Sequence, residues 1–460
     1  MKKVFFLLTL LPYLVGFTQE LQTPRCIFDS LIQEAYKSED FRIVMYNEEQ
    51  DFQDFLKTKS VLSKNASIPV VIHIVKNTND TDMNITDEMV YRQLEILNET
   101  YNQNNTDVEI TPEFFEPLIG NVGFEFCLAT VDPLGYSTTG ITRTYTDVSV
   151  FSTVSNNIKY ASEGGVDAWD TDSYLNIWVG KLSSSILGYS HIPSTSVPDQ
   201  EHGVVINYPF FGETNHSFYN MGKTLVHEIG HYFNLKHPWG NGNCDQNNDW
   251  VDDTPTSESA YAGSPVHPQT SCETVDMFMN FMDYVYDSSM VMFSIGQAER
   301  MQTALQYFRP GLLVSNGCGV PSLIAKPAIL HASEVNANDA SIELNIVSGI
   351  PPFTILWESG EETNYLADIA TGSYSVTITD SIGQELILDL VVSHYGLVYD
   401  SDNFESYNSD SLLDDQSDDW FAFCLDTFSA NISSVSAPEG LQYLEINSID
   451  GTNTLARNLG

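Results

Sequence analysis

Four residues in the run TLVHEIGHYFNLKHPWG, Thr224 to Gly240, have the types and spacing to hold and use a metal ion: His227, Glu228, His231 and His237. Histidines four apart lie on one helix face, one turn above the other, so each can offer a ring nitrogen to the same tetrahedral ion. A third histidine six residues past His231 cannot continue that face. It completes the site only if the chain turns back near Asn234, a residue tolerant of left-handed geometry. Three neutral nitrogens with one open position describe a catalytic zinc site rather than a structural one, and Glu228 can reach a water in the open position. The HExxH pattern alone also arises by chance on surface helices; the third histidine and the turn residue between set this one apart.

These side chains need a scaffold. IPVVIHIVK (68–76) reads as an inner strand, FEFCLAT (124–130) and YLNIWVG (174–180) as two more, and HGVVINYPFFG (202–212) as a short strand with an exit loop. DPLGYSTTGITRTY between them reads as turn-rich connection. Thr86 is a plausible N-cap for a helix with Val90, Leu94 and Leu97 on its apolar face. The metal helix is expected from about Ser217 or Asn220. After Gly240 a long segment has too little apolar content for regular structure, and Cys244 with Cys272 is expected to fasten it as a disulfide. Asp245, Asp249, Asp252, Asp253 and Thr254 offer the hard oxygens that calcium prefers; a solvated acidic loop is the competing reading. NFMDYVYDSSMVMFSIGQAERMQTAL (280–305) reads as a tight turn entering a long helix that Pro310 and Gly311 end.

Sixty-two acidic against 19 basic residues, a formal charge of −43, argue against nucleic-acid binding. Residues 1–19 read as a secretory signal peptide, and no later segment approaches a membrane span. Residues 20–64 form a polar leading segment and 65–319 the catalytic domain. From Pro321 the pattern becomes all-β: a small sandwich over 321–395, then a densely acidic stretch and partial β domain over 396–460 with no obvious closing strand. The fold class is therefore α/β, a mixed twisted sheet plus active-site helix, followed by all-β modules.

HEIGHYFNLKH together with NFMDY some 45 residues on resembles the metzincin metalloproteases, and within them the pappalysin/ulilysin family. FCLA, TTGITR, YLNIWV, HGVVINY, VDDTP and the GQAERM helix extend the likeness over about residues 65–319. The family pattern normally has glycine where this chain has Asn234. The resemblance implies that Met282 is the methionine beneath the metal and that Tyr284 can swing toward it. It also implies that Asp287 lies at the base of the pocket for the residue after the cut, favouring cleavage before Arg or Lys. Arg25 and Cys26 match an arginine–cysteine pair in the family's leading segments, so Cys26 is expected to occupy the open metal position and keep the enzyme latent; pairing of Cys26 with Cys127 or Cys318 is the other possibility. Lys57, Lys59 and Lys64 lie where an enzyme cutting beside basic residues could remove its own leading segment. PPFTILWESG and TGSYSVTITD are similar to the SprB-type repeat of secreted Bacteroidetes proteins, which implies an adhesive or spacer module.

The expected activity is a secreted zinc endopeptidase acting on proteins and peptides, with Glu228 as general base and Tyr284 as a second oxyanion donor. The alternatives are a cell-surface adhesin, self-associating through its β modules, with a vestigial protease domain, and a non-proteolytic zinc hydrolase.

Overall fold

The computed structural model describes residues 26–29, 35–58, 66–183, 186–240, 242, 244 and 249–394, and the backbone of 428–433, 443–448 and 454–457. The apolar run at 68–76 lies within β1 (Ala66–Asn77), which is buried without a break from Ile68 to Val75. Such burial requires neighbours on both edges and cover on both faces. On one edge β1 pairs in parallel with β2 (Phe124–Leu128) and then with β3 (Ile141–Thr146); on the other it pairs with β4 (Leu175–Gly180). The far edge is the short strand β5 (Gly188–Ser190), antiparallel to β6 (Val204–Asn207), which itself runs parallel to β4.

Two strands depart from the sequence reading. β3 arises within the stretch read as turn-rich connection: ITRTYT is β-branched and alternating, and Gly140, at φ +70°, delivers it to the β1 edge. β5 has three residues, too few for any periodic signal.

Four helices matter to the site. α1 (Glu39–Thr58) belongs to the leading segment. α2 (Asp87–Tyr101) starts at Thr86, whose side chain accepts from the Met89 amide, and buries Val90, Ile96 and Leu97. α3 (Lys223–Tyr232) carries the first two histidines; it begins later than expected because Gly222, at φ 69°, breaks the chain's approach. α4 (Ile295–Phe308) opens on a capping box of Ser294 and Gln297 and stops ahead of Pro310. The largest core gathers Ile72 and Ile74 of β1, Ile177 of β4, Leu97 of α2, Ile229 of α3 and Leu305 of α4 around Met282.

The described residues fall into two compact units, one within Met1–Ala328, Ile342–Tyr365 and Tyr374–Leu390, the other within Ile329–Ser341, Leu366–Ser373 and Val391–Gly460. In the first, beyond the mixed sheet, Thr354–Trp357 pairs antiparallel with Gly372–Thr379, Trp357 opposite Val376. In the second, Phe428–Ser433, Tyr443–Ser448 and Thr454–Arg457 form an antiparallel sheet. The signal-like residues 1–19, the acidic stretch 396–427 and Cys424 lie outside the described residues. No described helix is long and apolar enough to cross a membrane.

Candidate active site

All ten residues of α3 are buried, so its histidines point into protein rather than solvent. The helix ends in a motif that reverses the chain. Asn234 takes φ 71°, its amide donates to the His231 carbonyl at 2.9 Å, and the Leu235 amide reaches back to the Gly230 carbonyl at 2.9 Å. This paired 5→2 and 6→1 closure is what brings a histidine six residues further on back to the helix face. A Cβ on Gly230 would overlap the Met282 sulfur, so the glycine lets that fully buried methionine pack directly beneath the metal helix.

The three Nε2 atoms converge: 3.2 Å from His227 to His231, 3.1 Å from His231 to His237 and 3.3 Å from His237 to His227. Tetrahedral zinc with nitrogens at about 2.0–2.1 Å requires separations of about 3.3–3.4 Å. Each opposite ring nitrogen faces an acceptor at 2.8 Å: the Phe281 carbonyl for His227, the Leu235 carbonyl for His231 and Asp29 for His237. That places the proton on Nδ1 and aims three lone pairs at one point, an arrangement that repels itself unless a cation fills it. Burial, then the neighbouring His237, pushes the His231 pKa well down, which keeps it a neutral ligand. The donor set fits zinc.

A fourth donor is the Cys26 sulfur; together with the three histidines it forms a group whose ligand atoms all lie within 4.8 Å of one another. Cys26 forms a parallel bridge with Gly188 of β5, so the leading segment lies along the sheet edge. Its sulfur is 3.4 Å from Glu228 Oε2 and accepts from the Phe28 amide at 3.3 Å. Burial and then the Glu228 charge hold the thiol well above its ordinary pKa, so a thiolate there needs a cation beside it. The Tyr284 hydroxyl donates to the Cys26 carbonyl at 3.1 Å, and its ring packs 4.9 Å from both His237 and Trp239.

Sequence reasoning missed the partners that the leading segment supplies. Phe28 stacks on His231 with centroids 4.0 Å apart, and Asp29 accepts from both His237 and the Trp239 indole, the latter at 3.2 Å. Burial works against the Asp29 charge, but His237, Trp239 and His231 outweigh it and hold the carboxyl below its usual range. The only available signal was position: Phe28 and Asp29 follow Cys26 within three residues. Arg25, Lys59 and Lys64 lie outside the described residues, and Lys57 pairs with Asp54 on the surface of α1.

Asp287 is buried, with its carboxylate accepting the Met221 amide at 2.8 Å and its carbonyl accepting from Lys223 at 2.9 Å. Lys223 also pairs with Asp107. Cys244 and Cys272 are joined, as are Cys127 and Cys318, which leaves Cys26 a free thiol.

The acidic residues of the loop do other work. Asp249 accepts from Thr254 at 2.5 Å and from the Val251 amide at 3.1 Å. Asp253 accepts from the Ser294 hydroxyl at 2.6 Å and the Gly296 amide at 2.8 Å, capping α4. Asp252 is exposed, and Asp245 lies outside the described residues. Among the described residues the calcium candidates form no metal-ligating group.

Residues 159–306 match the peptidase family M43, described as pregnancy-associated plasma protein-A. An extracellular metalloprotease of Arthroderma gypseum is 30% identical over 275 residues, spanning 58% of this chain and 81% of that protein. A Tannerella forsythia promirolysin mutant superimposes with a TM-score of 0.59 at 35% identity, over 65% of this chain and 100% of that one. Mature mirolysin from the same organism, in complex with a cleaved peptide, gives 0.51 at 39% identity over 55% and 99%. The chain belongs to the M43 metzincin peptidases and is a zinc metalloendopeptidase.

Proposed function

We propose that the protein is a secreted endopeptidase made as a latent precursor, with Cys26 as the latency ligand and cleavage directed before Arg or Lys. The observation that carries this reading is the convergence of three histidine nitrogens and one cysteine sulfur from two distant segments on a single point. Relatives named as an extracellular metalloprotease, a promirolysin and a mature mirolysin support export and a precursor form.

Zinc, when bound by His227, His231 and His237, supplies Lewis-acid polarisation of a carbonyl and lowers the pKa of water. Glu228, fully buried beside the histidines, takes the attacking water's proton and returns it to the leaving amine. The Tyr284 hydroxyl donates to the Cys26 carbonyl in this form; with the leading segment gone, the same hydroxyl would donate to a developing oxyanion. Met282 is an apolar floor beneath the helix. Asp287 selects the basic residue after the cut through its buried carboxylate. The strand β5, bridged here by Cys26, becomes the edge along which an extended peptide binds.

The domain boundaries in this reading are a signal peptide over 1–19, a pro-segment over 20–64, a catalytic domain over 65–319, an SprB-like module over 321–395 and a further β region over 396–460 that spaces or attaches the enzyme. Calcium binding by Asp245, Asp249, Asp252, Asp253 and Thr254 is a reading of the acidic loop alone, and a melting temperature unchanged on calcium removal would reject it. The decisive measurement is on Glu228→Ala, assayed with the leading segment removed. It should retain one zinc per chain and lose peptide hydrolysis; full activity would reject Glu228 as base. Peptide-library digestion giving new N-termini without basic preference would reject Asp287 as selector.

A further inference from the structure

Arg300 of α4 is 2% exposed and has no part in the metal chemistry described above. Its Nε donates to the Asn234 carbonyl at 2.7 Å, and its two terminal nitrogens donate to the two carboxylate oxygens of Glu49 at 3.0 and 2.8 Å. The guanidinium carbon lies 4.8 Å from the Phe52 ring and 5.1 Å from that of Trp250. Glu49 and Phe52 sit one turn apart on α1, in the leading segment. Asn234 is the left-handed residue that turns the chain between His231 and His237, and the very next carbonyl, that of Leu235, orients His231. One planar cation therefore touches both the turn that builds the metal site and the helix expected to leave on activation.

The chemistry of such a pair decides its role. A buried arginine is costly without a counter-charge, and a forked carboxylate matches its geometry. Glu49 is itself 7% exposed, so the pair is shielded from solvent and salt. Phe52 is fully buried and also stacks on Phe308 at 5.4 Å, giving α1 an apolar foothold beside the ion pair.

We propose that Arg300 is a positioning residue of the metal site which the leading helix uses as its anchor. Glu49 and Phe52 dock α1 on the guanidinium that holds the Asn234 carbonyl. The precursor thus has a fastening at Arg300 that is separate from Cys26 at the metal, a reading that rests on the latent form proposed above.

The test uses the full zinc-loaded chain and two readouts besides activity: hydrogen exchange of residues 39–58 by mass spectrometry, and the rate of zinc loss to pyridylazoresorcinol. Glu49→Gln should speed exchange of the helix by about tenfold, equally in the native and Cys26→Ala backgrounds. Arg300→Lys cannot fork to Glu49 and also reach Asn234, so it should speed helix exchange by about tenfold and zinc loss by about threefold or more. Phe52→Leu, which keeps the charge pair, should speed exchange by about threefold and serves if Glu49→Gln does not fold. Helix exchange unchanged in these variants overturns the anchor. Zinc loss unchanged in Arg300→Lys overturns the positioning role. Equal peptide hydrolysis by the native chain before and after the leading segment is removed would instead reject latency, and the exchange data would still decide the anchor.

Discussion

Two segments meet at the metal site, and they are held to different extents. Lys223–Tyr232 and the turn after it are fixed by apolar burial and backbone closure, with Met282 beneath Gly230 and the Leu235 amide closing on Gly230. The leading segment touches the same site through a small mixed set of side chains, with Phe28 stacked on His231 and packed with Met45 and Ile192 in a cluster apart from the main core. Asp29 meets His237, Glu48 accepts from Thr195 at 2.5 Å and Glu49 meets Arg300, while Cys26 lies on the metal point. The metal helix is continuous with the large core, whereas the leading segment is held by a small separate cluster and a few discrete polar contacts, which can be released once the connecting chain is cut. The first suits machinery that must persist, the second a cover that must leave.

The largest effect expected on that contrast is catalytic. With the leading segment removed, Glu228→Gln should lower peptide hydrolysis by about a thousandfold while zinc stays bound, because the three histidines and not this carboxylate hold the metal. Steady-state kinetics and zinc analysis on the same sample check it, and a loss below tenfold would reassign the base.

Next comes acid sensitivity of the persistent part. His73 of β1 is fully buried, its ring nitrogens 2.8 Å from Thr142 and 3.0 Å from Asn176, and burial lowers its pKa to about 4. The unfolded chain binds that proton near pH 6.5, so stability is full above that value and is lost as pH falls through 4. The loss amounts to about 3 kcal/mol. His73→Gln should flatten melting temperature against pH in this window; an unchanged slope would place the acid-sensitive groups elsewhere, with His191 and His202, each lowered to about 3 by burial, the next to replace.

Gly230→Ala sharpens the same comparison from the packing side. The added methyl would collide with the Met282 sulfur, and overpacking of this kind costs about 2 kcal/mol. It should lower the thermal midpoint and zinc affinity together while leaving the Glu49–Arg300 contact intact. Unchanged zinc affinity would mean that Met282 yields and is filler rather than floor.

What could be read in advance follows the same division. His227, Glu228, His231, His237 and the turn at Asn234 are a local pattern, in which helix period and one left-handed residue determine the geometry, so spacing alone was enough. β1, β2, β4 and β6 were readable because burial leaves apolar runs. Asp29, Glu49 and Arg300 were not, since each finds its partner across roughly 200 residues or more and a lone carboxylate carries no sign of which cation it will meet. Asp253 was misleading for the same reason: an acidic loop residue looks alike whether it awaits calcium or caps a helix 41 residues on.

The smallest expected effect tests whether backbone geometry alone makes the turn. Asn234 stands at φ 71°, and its side-chain nitrogen is buried without a hydrogen-bond partner, so the amide adds little beyond tolerance of the left-handed region. Glycine adopts that region freely, whereas alanine meets the Cβ clash that costs about 1 kcal/mol. Asn234→Gly should therefore match or slightly exceed the native protein in thermal midpoint, and Asn234→Ala should fall below it. Both keep the carbonyl that accepts from Arg300, so zinc retention should follow the order of stability. If Asn234→Gly instead released zinc faster than Asn234→Ala, the side chain rather than the backbone would be stiffening the loop, and the metal segment would depend on single side-chain contacts as the cover that lies on it does.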